Sequence, residues 1–271
     1  MSFRPVIPYG GLQGWRFLNR TLERQQAAFA GDKVLEREAS YFRENISKVR
    51  SAEQLLGDRR LLSFALDAFG LGDDLKNRAF IRRILESPSG EPGALANKLA
   101  DQRYREFART FGFADPGGPR TTLPPRVEMI VSKWKEQRFG QALGTVDANM
   151  RLALHARSEI TRIAGEAGTD NGRWFAVLGA APLRQFFLTA LGLPPAFSAV
   201  DIDKQVDTLR ARLRSLAGVG EVSDLRDGAN VEKLMRNFFL RSENEPRAGF
   251  QASALSLLSQ AASATALSRR F

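Results

Sequence analysis

The chain has 271 residues, is 43% hydrophobic and 26% charged, and carries a formal net charge of +10. This is an ordinary globular composition, long enough to bury a core without staples and sufficient for one large domain or two modest ones. With no cysteine and one histidine, disulfides, thiolate metal sites and cysteine nucleophiles are excluded, and His155 leaves at most a single imidazole for catalysis or metal binding.

In chain order, the opening "MSFRPVIPYGGLQGW" holds no apolar run of signal-peptide length, so no cleavable leader is expected. Its "GGLQG" lacks a preceding strand and a following Gly-Lys-Ser/Thr, so it is not a phosphate loop. Thereafter the period is helical. Trp15, Leu18, Leu22 and Phe29 share one face, as do Leu35, Ala39, Phe42 and Ile46. Ser51 precedes Gln54 by three, which is capping-box spacing, and Asp58 suits the cap of the next helix. That helix carries Leu61, Leu62, Ala65, Leu66 and Phe69, and Gly70 is its expected stop. Phe80, Ile81, Ile84 and Leu85 form a further stripe, and residues 94–111 another, with a break near Asp101.

Residues 112–125, "GFADPGGPRTTLPP", contain three glycines and four prolines and read as a linker. A long helical stretch follows over 126–166, with Val127, Ile130, Val131 and Trp134 continued by Met150, Ala153, Leu154 and Ile160. Unbroken, its ~40 residues would span ~60 Å, so a kink near Gly140 and Gly144, or a bridge between two subdomains, is expected. Beyond it lie stripes at Val206, Leu209, Leu213 and Leu216 and at Leu234, Met235 and Phe238. Residues 248–268 carry no charge, but five Ser, two Gln and one Thr among seven Ala argue against a membrane span.

One segment occurs twice. From Leu56 and Leu178 onward, at an offset of 122, eight of sixteen positions are identical. Gly57, Leu61 and Gly70 define the first copy; Gly179, Leu183 and Gly192 define the second. The expected architecture is therefore all-α, with two related helical modules at 1–111 and 167–247. A linker at 112–125, a long middle helix at 126–166 and a tail or helix at 248–271 complete it.

Few residues carry chemistry. Ser132 and Lys135 have S-x-x-K spacing without the partner motifs of serine acyl-enzymes. Asp73-Asp74 and Asp201/Asp203 read as helix N-termini. Arg210 and Arg214 share a helix face and are the candidate anion contacts, with Asp207 placed to pair with Arg210. The basic excess is almost all arginine, 32 of 40 cations, and is dispersed as a GC-rich genome would disperse it. Catalytic, cofactor-binding and metal-binding residues are all expected to be absent.

Three stretches, "YFRENISKVRSAEQLLGDRRLLSFALDAFGL" at Tyr41–Leu71, "NRAFIRRILES" at Asn77–Ser87 and "ALANKLADQRYREFARTFGF" at Ala94–Phe113, resemble the bacterial family called domain of unknown function 1217. "PYGGLQGWRFLNRTLERQQAAF" suits its alphaproteobacterial members. The resemblance covers most of residues 5–113, and the second half more loosely. It brings no catalytic residues. It implies a flagellum-associated role, because members are often encoded among flagellar genes. Axial flagellar proteins pair an N-terminal amphipathic helix with a C-terminal helix rich in Ala, Ser, Leu and Gln, and residues 11–30 and 248–268 match those parts. The expectation is a non-enzymatic structural or assembly protein, cytoplasmic or exported with the flagellum, that binds a protein partner or a second copy of itself. The alternative is a basic nucleic-acid-binding protein.

Overall fold

Side chains recurring every third or fourth residue can all face one neighbour only on a helix, and the apolar stripes fold accordingly. The structure, a computed structural model, describes residues 3–99 and 101–243; the tail assigned to 248–271 lies outside them. The described residues form an all-α fold without strands. The helices are α1 (Gly11–Ala30), α2 (Lys33–Ile46), α3 (Ala52–Gly57), α4 (Arg59–Ala68), α5 (Arg78–Leu85), α6 (Leu95–Lys98), α7 (Gln102–Phe111), α8 (Pro124–Val146), α9 (Ala148–Gly165), α10 (Asp170–Gly179), α11 (Ala181–Leu191), α12 (Ile202–Ala217) and α13 (Gly228–Ser242).

The caps read from the sequence form. Ser51 Oγ accepts from the Gln54 N–H at 3.2 Å, and the Gln54 side chain returns by accepting from the Arg50 N–H at 2.7 Å. Asp58 Oδ1 accepts from the N–H groups of Arg60 and Leu61, opening α4. Asp101 caps α7, which is the expected break.

Two expectations need correction. The stretch 126–166 is two helices, and the break falls at Asp147 rather than at a glycine. Asp147 is extended, and its carboxylate accepts from the N–H groups of Asn149 and Met150 to start α9. Gly140 and Gly144 sit inside α8. A Cβ on Gly144 would lie 2.6 Å from the Arg151 side chain, so this glycine admits α9 close to α8. The stretch 112–125 is not a free linker. Asp115 is buried, accepts from the N–H and hydroxyl of Ser89 at 2.7 Å, and pairs with Arg120 at 2.8 Å. Pro124 and Pro125 open α8, because the first helical turn needs no N–H from them.

Within the body, α4 packs between α2 and α8, while α11 packs on α9 and α13. Phe64 stacks between Phe42 and Trp134, with ring centroids 4.2 and 4.3 Å away. Phe186 packs on Phe238 at 4.8 Å, and Trp174 on Phe187 at 5.5 Å. These aromatics and the aliphatic stripes merge into one apolar cluster running from Trp15 to Phe239.

The two similar segments have similar local backbones. Each is a short helix, one extended residue, a second helix and a left-handed glycine. Asp58 and Ala180 are the extended residues, with φ/ψ of −100°/104° and −90°/105°. Gly70 and Gly192 have φ of 68° and 69°, a conformation favouring glycine. After each, the next residue donates back to the helix, Leu71 to the Leu66 carbonyl and Leu193 to the Leu188 carbonyl, both at 2.8 Å. This is the six-to-one bond of a Schellman cap.

Candidate functional site

The most distinctive surface is built at the start of the chain. Residues 3–9 form an extended arm laid on α1. Polar side chains of α1 and the cap of α2 hold it. The Gln25 side chain, 8% exposed, accepts from the Val6 N–H at 2.8 Å and donates to the Val6 carbonyl at 3.0 Å, as a paired strand would. Gln25 Nε2 also donates to Thr21 Oγ1 at 2.8 Å, and that hydroxyl donates to the Phe17 carbonyl. The Phe3 N–H donates to Asp32, the cap of α2. That carboxyl is held below its ordinary value by the Val34 N–H first, with burial opposing and the Phe3 and Leu35 N–H groups helping. Gly14 lets the arm pass: a Cβ there would sit 2.0 Å from the Tyr9 carbonyl oxygen. So "GGLQG" serves close backbone approach and helix initiation.

The arm and α1 enclose a shallow apolar groove of about 220 Å³ lined by Phe3, Val6, Phe17, Thr21, Arg24 and Gln25. Val6 and Tyr9 stand out as 57% and 58% exposed. Along the outer face of α1 run Arg16, Arg20 and Arg24, all exposed and without an ion pair among the described residues. The sequence pattern did not single out this arrangement. Gln25 reads as a surface residue of an amphipathic helix, and its partner lies nineteen residues away. The i, i+4 spacing of the three arginines was the legible signal.

The residues chosen from the sequence fall elsewhere. Gly57, Leu61 and Gly70 sit on α3, α4 and the stop of α4; Gly179, Leu183 and Gly192 take the matching places on α10, α11 and the stop of α11. Leu61 and Leu183 are buried. The Leu56 carbonyl accepts from Arg78 and the Leu178 carbonyl from Arg184 Nη1 at 2.7 Å. Each left-handed glycine has an arginine over it, Arg103 at Gly70 and Arg241 at Gly192. These are structural positions that the fold fills from within.

Arg210 does not present a free guanidinium. Its Nε donates to Glu221 at 3.0 Å, its Nη2 to Asn171, and Asp207 stands 3.9 Å away. Arg214 is exposed, and its guanidinium lies against Gly220. The candidate anion pair is thus reduced to one exposed arginine. Lys135 is paired with Glu36 across α8 and α2, while Ser132 faces solvent, so the S-x-x-K spacing assembles no reactive pair.

His155 lies in a polar seam between α7 and α9. Burial lowers its pKa; Glu159 opposes that, and Arg103, Arg151 and Arg162 reinforce it. Arg162 bridges Glu159 and Glu166, and Arg103 pairs with Asp101. Tyr104 donates to Asp74 at 2.6 Å; burial, then that bond, raises its pKa. Arg103, Arg162, Glu159 and Asp74 each have a partner on the protein, and Arg151 is exposed, which is the behaviour of a structural network. Among the described residues no group of three or more His, Cys, Asp or Glu is placed to hold a metal. No single described helix is long and apolar enough to cross a membrane. The pair α10 and α11 has the composition but is bent by 103°, and most of its large apolar side chains, Phe175 excepted, lie in the core.

No curated protein matches the chain. The crystal structure of protein AGR_C_984 from Agrobacterium tumefaciens is similar, with a TM-score of 0.73 and 26% identity over 90% of this chain and 100% of that one. The family model described as "Protein of unknown function (DUF1217)" matches residues 68–231. The match begins within the first of the two similar segments, includes all of the second, and extends further toward the C-terminus than the resemblance over 5–113. The all-α fold, the solved structure and a match over more than half of the length agree: the chain belongs to the DUF1217 family.

Proposed function

We propose that this protein is a non-enzymatic, flagellum-associated structural or assembly protein that acts through protein–protein contacts. One observation carries the reading: the two ends of the described chain meet. Helix α1 packs along α13, with the Trp15 and Phe239 rings 5.5 Å apart. Glu243 lies so close to Gly11 that a Cβ on this glycine would overlap its carboxylate. The last described residue therefore lies beside the start of α1, a few residues before the Ala/Ser/Leu-rich segment 248–268 in the sequence. The start of α1 and the last described residue before 248–268 are thus neighbours, and 11–30 and 248–268 are the segments whose compositions match the paired terminal helices of axial flagellar proteins.

Because Trp15 and Leu18 are fully buried, α1 serves the fold first. Assembly contacts then fall to its solvent face, to the arm and to the chain beyond Glu243. On this reading the ligand is a flagellar protein or a second copy of the chain, met in the cytoplasm or during export. The test is spreading in soft agar of a deletion strain of the encoding bacterium, complemented with the full chain or with residues 1–247. Lost swimming restored by the full chain alone is the expected result. Normal swimming of the deletion strain would overturn the flagellar assignment.

The unpaired row Arg16, Arg20 and Arg24 favours a second reading, a basic nucleic-acid-binding protein. Its signature is affinity that falls steeply with salt through counterion release.

A further inference from the structure

The groove between the arm and α1 combines two features that point to one kind of occupant. It is apolar, and at about 220 Å³ it is smaller than the ~300 Å³ at which small-molecule pockets begin. It therefore fits one or two side chains of a larger partner. Beside it, Arg16, Arg20 and Arg24 stand one helical turn apart. Adjacent like charges at this spacing repel, and Glu23, although exposed on the same helix, pairs with none of them. Arg24 belongs both to the row and to the groove lining.

We infer that this groove docks an acidic amphipathic segment of a partner protein. The segment seats an aliphatic or aromatic side chain between Val6 and Phe17 and sets carboxylates over Arg16, Arg20 and Arg24. The inference rests on the reading of the chain as one that works by protein contacts, and it names the chemistry of the contact. The arginine row alone would suit phosphates equally. The apolar hollow beside it does not, because a phosphate seated there would lose hydration with few donors to replace it. Helix-in-groove recognition needs this combination of apolar anchor and charged rim.

The experiment is fluorescence anisotropy with the full chain and three labelled probes. One is an amphipathic peptide with Leu on one face flanked by Glu, the second its Lys-for-Glu counterpart, and the third a single-stranded DNA. The Glu peptide should bind and the Lys peptide should not. The double variant R20E/R24E and, separately, Val6→Asp should each weaken the Glu peptide at least about tenfold. Both variants alter exposed side chains, and an unchanged thermal melt shows that each still folds. Absence of Glu-peptide binding, binding indifferent to both variants, or tighter binding of DNA that R20E/R24E abolishes would overturn the inference. The swimming assay stands apart: lost swimming without peptide binding removes the groove and keeps the flagellar reading, and peptide binding with normal swimming does the reverse.

Discussion

Asp58 and Ala180 occupy the same bend between two helices, with backbone angles within about ten degrees of each other. Their side chains could hardly differ more. The Asp58 side chain accepts from two N–H groups of α4 and from the Tyr41 hydroxyl, while the Ala180 methyl can accept nothing. The second segment instead places Pro182 in the first turn of α11, which removes one of the donors that Asp58 satisfies in α4. One region fills the orphan donors and the other deletes a member. What the two share is where the chain must turn and what the helix buries, and the polar chemistry at the bend is interchangeable.

The comparison breaks most readily in the core. Phe64 and Phe186 hold equivalent positions, and both are buried. Truncation to Ala should cost about 3–5 kcal/mol at each, measured by chemical denaturation. A cost under about 1 kcal/mol at one of them would show that the two helices do not play the same structural part. The left-handed glycines come next. Gly70→Ala and Gly192→Ala should each cost about 1–2 kcal/mol. Gly192 should be the more sensitive, because the Arg241 guanidinium lies 2.2 Å from the new Cβ, against 3.4 Å for Arg103 at Gly70. Equal losses would mean that Arg241 swings away freely.

The smallest effect sharpens the contrast. Asp58→Ala converts the first bend to the chemistry of the second and should cost about 1 kcal/mol. Ala180→Asp, facing fewer donors, should return less. The Asp58 loss should also depend on pH. Burial pushes this carboxyl up, but the Tyr41 hydroxyl and the N–H groups of Leu61 and Arg60 outweigh it and hold its pKa below the ordinary value. A carboxyl depressed in this way stabilises the fold fully above its unfolded pKa of about 3.9, and that stabilisation disappears as pH falls through the folded value. The gap between wild type and Asp58→Ala should therefore close as the pH of the denaturation series is lowered from 7 to 3. A constant gap would place the effect in packing rather than in the charge.

Much of this was legible in the sequence, for local reasons. The stripe from Leu61 to Phe69, the caps at Ser51 and Asp58 and the stop at Gly70 all depend on neighbours within one or two turns. The break at Asp147 was also written locally, as an aspartate followed by two donors, but Gly140 and Gly144 drew the expectation because glycine disfavours helix interiors. Glycine at 144 has a distant cause, the passage of Arg151, which no local pattern reports. Residues 112–125 looked like a linker because proline and glycine mark both flexible and tightly packed loops, and the Asp115 bonds to Ser89 and Arg120 distinguish them. The groove was invisible for the same reason. Gln25 acts on Val6 across the whole first half of α1, and an amide side chain in an amphipathic helix has no pattern that says which backbone it will hold.

The meeting of Trp15 with Phe239 has a consequence for how the protein is made. Helix α1 leaves the ribosome about two hundred residues before α13, on which its buried face closes. Until then the indole has lost one of its permanent neighbours, and the first helix must wait on partial contacts with α8 and α9. Contacts so distant in sequence are the slow ones to form. A chain of this design completes its core only once α13 has been synthesised. A stalled or truncated product lacking α13 would expose Trp15 and Phe186 together, a signature that chaperones and proteases read as unfinished.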